Sequence, residues 1–423
     1  MEKPENSISR VMIMIALVLS GEAIFFLPFT LPRVFRPTIL DVFQINNFEL
    51  GSAFSAYGVV AMISYFFGGP MADRFSARGL MSVALVATAL GGLVLVTIPS
   101  LTILIIVYAF WGLTTILLFW AALIRATREW GGKQEQGKAF GLLDGGRGLA
   151  AALISTAGIA LLSTLLPEDV SSADIVQRTN SLRYVIILFS GITFLIAILV
   201  WFSLPGGKIE GPENFNAGLK GVRKILKMRV VWLQSIILLC GYVGYKITDD
   251  FSLYAQDVLG YDEVRAASVG TLGLWMRPIV AVSIGLLADR FSSSRMIILC
   301  FIFLITGGLM AGTGILQPGF IFFNLVAFAS LAIGINGLRP LYFAIMEESK
   351  VPLALTGTAV GLVSVLGYTP DIFVGPAMGW LLDTYPGAQG HEYLFLFLTG
   401  FSFTGFIASL LFYRQLNLSK NIK

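Results

Sequence analysis

Apolar residues along the chain gather into long runs at about 11–30, 50–71, 79–97, 101–124, 138–165, 182–204, 230–257, 264–287, 296–315, 320–345, 354–382 and 393–413. A helix crosses the hydrocarbon core of a bilayer with about 20 residues, and short charged clusters separate the runs. Twelve membrane-spanning helices are predicted. The first run follows Lys3 and Arg10, but it is too long for the apolar core of a cleaved leader and no A-x-A site follows it, so it is expected to persist as the first span.

Composition agrees with this pattern. Of 423 residues, 56% are hydrophobic and 13% charged, with a mean hydropathy of +0.81; a soluble domain carries about 25% charged residues. The surface therefore faces lipid, and a soluble protein is excluded. Cys240 and Cys300 fall inside apolar stretches and are expected as buried, inert thiols. The single histidine, His391, is too little for a histidine metal site and is expected as a solvated loop residue beside Glu392. No metal and no cofactor are predicted.

Placing the N-terminus inside puts twenty Lys and Arg, from Lys3 and Arg10 to Lys420 and Lys423, on the cytoplasmic side. Only Arg33, Arg36, Arg178, Arg183 and Arg265 fall outside. By the positive-inside rule both termini are cytoplasmic. The same asymmetry accounts for the net charge of +4, so no nucleic-acid partner is needed to explain it.

The longest polar stretch, at 205–229, divides the chain into predicted six-helix bundles at 1–204 and 230–423, joined by a cytoplasmic linker. The halves echo each other. Ala72-Asp73-Arg74-Phe75-Ser76 follows the second span, and Ala288-Asp289-Arg290-Phe291-Ser292 follows the eighth. A second echo pairs Gly137-Lys138-Ala139-Phe140-Gly141 with Gly357-Thr358-Ala359-Val360-Gly361. Two six-helix halves in parallel repeat are the architecture of a rocking transporter.

At these residues the chain resembles the major facilitator superfamily. Gly69-Pro70-Met71-Ala72-Asp73-Arg74 with Arg78 is similar to that family's loop signature, and Gly285-Leu286-Leu287-Ala288-Asp289-Arg290 with Arg295 to its second copy. The resemblance implies an all-α membrane protein of twelve spans in two pseudo-repeat bundles. It also implies that Asp73, Arg74 and Asp289 stabilise one end state, while Arg78 and Arg290 hold the cytoplasmic rim. Within the superfamily, Trp130 before Gly137-Lys138-Ala139-Phe140-Gly141, and Gly367-Tyr368-Thr369-Pro370-Asp371, look most like the organophosphate:phosphate antiporter group and its YihN-like relatives. That group's phosphate binders carry arginines in spans one and seven; Glu22 and Lys246 stand there in this chain, which weakens the case for phosphate-ester exchange.

Charges at membrane depth are costly, about 2.5–3.5 kcal/mol on insertion scales, and so need a partner or a purpose. Glu22 lies about 17 Å along the first run at about 1.5 Å per residue, near the bilayer midplane. It is the candidate proton-coupling acid, with a fixed ion pair to a neighbouring span as the structural alternative. Asp144, the second candidate for proton coupling, shares a face of span five with Arg147, and the two could neutralise each other. Arg147 is read equally as a substrate contact or a structural pair. Gly137, Gly141 and Gly145 recur every four residues, an expected packing seam.

Arg277, next to the helix-bending Pro278 in span eight, has no acid within a turn and is the leading candidate for an anionic group on a cargo; its alternative is a pair with Glu22. Lys246 is expected to pair with Asp249 or Asp250 at the outer mouth or to assist in binding. Arg339 and Arg125 are expected at a cytoplasmic gate, and Asp371 at an external gate or in water. Tyr57, Tyr242, Tyr245, Trp275 and Tyr368 are the aromatics that could line a cavity.

The chain has no phosphate cradle of the G-x-x-x-x-G-K-[ST] kind and no nucleophile–histidine set, which points away from an ATP-driven machine and from an enzyme. The expectation is a gradient-driven transporter, proton-coupled or exchanging, monomeric, in a bacterial inner membrane. Its partners are the lipid bilayer and a small polar solute with a carboxylate, sulfonate or phosphate-ester group. Zwitterionic amino acids or short peptides, efflux of lipophilic compounds, and a membrane sensor without flux are the alternatives.

Overall fold

The computed structural model describes residues 7–132, 135–206, 225–316, 320–348 and 356–421. Among these the regular elements are all helical. The helices are α1 (Ser7–Ala23), α2 (Leu31–Val34), α3 (Arg36–Phe43), α4 (Asn47–Arg74), α5 (Ala77–Val96), α6 (Leu101–Gly112), α7 (Ala121–Gly131), α8 (Gln136–Leu165) and α9 (Ile175–Ser203). There follow α10 (Arg229–Ile247), α11 (Phe251–Asp257), α12 (Glu263–Phe291), α13 (Ser293–Gly312), α14 (Ile321–Glu348), α15 (Thr356–Gly367), α16 (Pro370–Thr384) and α17 (Ala388–Asn421).

Among the described residues, eleven helical stretches are long and apolar enough to cross a membrane. The run expected as span eleven is the exception: it divides into α15 and α16 at Tyr368 and Thr369. Pro370, at the first position of α16, has no N–H to continue the ladder across the break. Most of the predicted linker at 205–229 lies outside the described residues.

Local sequence sets the helix starts. The Asn46 side chain accepts from the Glu49 N–H at 2.8 Å while the Glu49 carboxylate accepts from the Asn46 N–H at 2.9 Å, a reciprocal cap that opens α4. Asp174 and Gln177 do the same for α9, at 2.7 and 3.0 Å. Among the described residues two stretches wind as π-helix, Phe26–Thr30 after α1 and Leu113–Trp120 between α6 and α7. In the first, Pro28 removes a donor from the ladder, and the Phe29 and Thr30 N–H groups both turn back to the Phe25 carbonyl at 3.1 Å.

The chain forms two compact units: Met1–Gly211 with Asp249–Gln256 and Tyr261–Pro278, and Pro212–Thr248 with Asp257–Gly260 and Ile279–Lys423. In the first unit α5 packs on α9, α4 on α6, and α1 on α8 and α9. Its core is aromatic, with Phe54, Trp111, Phe119 and Phe189 fully buried. A Cβ on Gly112 would meet the Tyr57 carbonyl at 2.7 Å, so α6 reaches α4 only with hydrogen at that position. In the second unit α13 packs on α14 and α17, and α10 on α17. Small residues let these backbones close together, as expected for helices associating in lipid: a Cβ on Gly307 would lie 2.9 Å from the Ala327 carbonyl.

The seam expected along span five is different. Gly141 and Gly145 face open space, whereas a Cβ on Gly146 would strike Val18 at 2.6 Å and one on Gly148 would meet Arg277 at 3.2 Å. The close face of α8 is offset from the four-residue repeat; the spacing identified small residues but not the face that packs.

Candidate functional site

Four ionisable side chains from three helices meet inside the first unit. Glu22 of α1 accepts from Arg147 of α8, Nε to Oε2 at 3.0 Å, and from Arg277 of α12, Nη1 to Oε1 at 3.3 Å. The second terminal nitrogen of Arg277 donates to Asp144 Oδ1 at 3.0 Å. Side-chain exposures are 6% for Glu22, 9% for Arg147, 3% for Arg277 and 33% for Asp144. Two acids and two bases therefore balance, with one acid on the accessible side.

Glycines make the approach possible. Gly148 admits the Arg277 stem beside α8, and a Cβ on Gly21 would lie 3.1 Å from Arg147 Cδ. The Arg277 fork is spread over two carboxylates, one nitrogen to each, and this is the arrangement that a single two-oxygen anion could take over. Asp144 and Arg147, adjacent on one helical face, each reach a partner on another helix, Asp144 to Arg277 and Arg147 to Glu22. Arg277, which has no acid near it in sequence, has two in space.

Two aromatic residues that sequence reasoning passed over complete this site. Arg147 Cζ lies 5.6 Å from the ring centroids of both Phe25 and Trp120, within cation–π range. Phe25 stands three residues after Glu22, so a one-turn offset could have indicated it. Trp120 ends a π-helical segment, and no periodic signal marks its direction.

A second charged cluster lies in the first unit, among residues that the sequence analysis placed on the outer side. Arg33 donates from Nε to Asp249 Oδ1 at 2.7 Å, and Ser252 Oγ donates to the Arg33 carbonyl at 2.8 Å. Arg36 donates twice to Asn47 Oδ1, at 3.1 and 2.9 Å. Arg178 lies 3.0 Å from Glu263 and 2.9 Å from Asp41, with Thr38 Oγ1 donating to Glu263 Oε2 at 3.2 Å. Arg33 and Arg36 are fully buried. Arg183 donates to the Val96 carbonyl at 3.0 Å, while Arg265 is exposed.

In the second unit Lys246 is buried and lies 3.5 Å from Asp371, a partner that the sequence analysis did not name. The Tyr242 hydroxyl donates toward both Asp371 oxygens, at 3.1 and 3.2 Å, so Asp371 is a buried partner and does not face water. Tyr242 also meets Tyr368 edge-on at 4.8 Å and Tyr245 at 5.4 Å. Arg339 Cζ lies 4.3 Å from the Tyr245 ring centroid; α14 runs on to Glu348, which sets Arg339 farther from the helix end than the apolar run suggested.

The other predicted residues divide. Tyr57 is a core residue, its hydroxyl 2.8 Å from Thr115 Oγ1. Trp275 is exposed and its Nε1 is 3.2 Å from Thr156 Oγ1. Arg125 pairs with Glu129 at 2.9 Å, and Arg78 stacks 4.7 Å from the Trp201 centroid. Arg74, Asp289 and Arg290 are exposed, Arg290 lying over Phe291 at 5.5 Å. The side chain of Asp73 lies outside the described residues. His391, expected in a solvated loop, is fully buried in α17 with Nε2 3.2 Å from Asp257 Oδ2; the helix begins at Ala388 and carries it inward. Cys240 and Cys300 are buried and free.

Comparison with known proteins gives the following. The sequence model of the Major Facilitator Superfamily matches residues 18–373. The inner membrane protein YqcE of Escherichia coli (strain K12) is 27% identical over 401 residues, 92% of each chain. The inner membrane protein YihN of the same organism is 24% identical over 413 residues, 96% of this chain and 95% of its own. Among solved structures, the nucleoside transporter NupG superposes with a TM-score of 0.70 at 12% identity, covering 96% of this chain and 99% of its own. A bacterial homologue of the human lysosomal transporter Spinster gives 0.69 at 14% identity, covering 97% and 98%.

Proposed function

We propose a function from one premise: the chain belongs to the Major Facilitator Superfamily, and it is a membrane transporter working by alternating access, not an enzyme. Its cargo, on our reading, is a small organic anion held by Arg277 and Arg147. The observation that carries this is the Arg277 fork, one nitrogen on Glu22 and the other on Asp144. An oxyanion arriving at the fork supplies both acceptors at once. Glu22 then loses guanidinium contacts in a buried place, where an isolated carboxylate is costly, and takes up a proton. Anion entry and proton entry are thereby linked, and the total charge of the site is conserved.

Asp144, one-third exposed, supports a second reading, in which the cationic end of a zwitterion meets it while the carboxylate end meets Arg277. We place the protein in an inner membrane as a monomer with both termini cytoplasmic, and keep the division into halves at 1–204 and 230–423 as part of this proposal. On that division Arg33–Asp249 and Lys246–Asp371 act near the outer side, as gate and as assisting pair.

Counterflow into proteoliposomes tests the reading. Vesicles preloaded with sulfonates, carboxylates, phosphate esters, amino acids or short peptides should accumulate labelled solute only with a class bearing an anionic group. Accumulation confined to uncharged or cationic solutes, or saturable binding without flux for every class, would overturn it.

A further inference from the structure

An aromatic chain runs along one side of α1 and the π-helical turn that follows it. Trp120 and Phe25 lie 6.2 Å apart with their planes at 64°, Phe25 and Phe29 6.3 Å apart, and Phe29 and Tyr57 4.6 Å apart. Phe29 and Tyr57 are buried core residues. Phe25 and Trp120 are only partly buried, and these are the two that stand beside the charges. Each presents ring area to the Arg147 guanidinium at 5.6 Å. Packing alone does not require the accessible end of an aromatic chain to coincide with a balanced group of buried charges.

When an anion engages Arg147, the guanidinium turns from Glu22 toward the newcomer and its cover over the two rings changes. A ring face, negative at its centre, accepts a cation or the edge or offset face of another ring. A third cation beside Arg147 and Arg277 is opposed by like charge, which leaves a ring. We propose that Phe25 and Trp120 are the specificity wall of this site, and that the cargo is an organic anion carrying a planar aromatic or conjugated ring. The π-helical windings at Phe26–Thr30 and Leu113–Trp120 set the two rings: the first starts one residue after Phe25 and the second ends at Trp120, as π turns often do at functional positions.

The inference rests on the reading that Arg147 and Arg277 receive the cargo's anionic group, and a matched pair of probes separates the two. Benzenesulfonate and methanesulfonate carry the same permanent charge and differ in the ring. Binding of each to the purified full-length protein should favour benzenesulfonate by about tenfold, the scale of an aromatic contact. The preference should fall to about that of an unspecific apolar contact in Trp120→Ala and Phe25→Ala and be restored by Trp120→Phe. Because the readout is a ratio within one protein, a uniform loss of folded material does not alter it. Equal affinity for the two probes in the parent, or a preference that survives both alanine variants, overturns the aromatic wall and leaves the anion site standing. Failure of both probes to bind, with carboxylates and phosphate esters also inert, overturns the anion site and the wall with it.

Discussion

Arg277 Nη1 lies 3.3 Å from Glu22 Oε1, across 255 residues of sequence and from a different helix. Arg147 bonds the other oxygen of the same carboxylate at 3.0 Å, so Glu22 is the shared acceptor of both arginines. Its removal should separate two properties of the transporter. In Glu22→Gln proteoliposomes, solute exchange should persist while accumulation driven by a proton gradient is lost. Parent-like accumulation with the same pH dependence would remove Glu22 from the coupling role.

Arg33 and Asp249 form a buried pair at 2.7 Å. Breaking a buried pair by removing one partner costs about 3–5 kcal/mol. Arg33→Ala and Asp249→Ala should each lower thermal stability strongly, and the double variant should be no worse than the poorer single one. Additive losses in the melting temperature would show that the two do not act as a unit.

Glycines on α8 should respond by position and not by type. Gly141→Ala and Gly145→Ala face open space and should be neutral or stabilising by up to ~1 kcal/mol, since alanine favours helix. Gly148→Val places carbon against the Arg277 stem and should weaken anion binding with the charges intact. Equal effects at Gly145 and Gly148, measured as affinity, would contradict the geometry.

Tyr242 donates toward both oxygens of Asp371 beside Lys246. Hydrogen bonds to charged groups are worth about 1.5–3 kcal/mol, so Tyr242→Phe should lower unfolding stability by that order. Asp371→Ala, which removes the carboxylate beside buried Lys246 together with the acceptor of Tyr242, should cost more. The reverse ranking in a thermal unfolding series would mean that the pair contributes little.

Which charges would be buried was legible at Glu22, Arg147 and Arg277, because an ionisable residue amid an apolar run announces its cost. Which charge meets which was legible only for Arg277 and Glu22, a pair named as one alternative. Arg147 shares a face with Asp144 and bonds Glu22 on another helix; Lys246 precedes two aspartates and lies beside Asp371, far along the chain. Local spacing shows what a helix can do alone, and tertiary packing decides. Arg33 and Arg36 lie past the end of the first apolar run and were counted only as outer-side charges, so their burial was not legible. The chain continues there as the short helices α2 and α3, which carry both inward. His391 was misplaced for the same reason, its polar neighbours concealing a helix start. The repeat of Ala-Asp-Arg-Phe-Ser and the twelve apolar runs, by contrast, sufficed for the architecture.

The most direct test of the central claim is the affinity of Arg277→Ala for organic anions, measured by calorimetry on protein shown to be inserted and monodisperse. The account predicts that binding of anions is abolished while the fold survives. An anion that binds Arg277→Ala as tightly as the parent would contradict it.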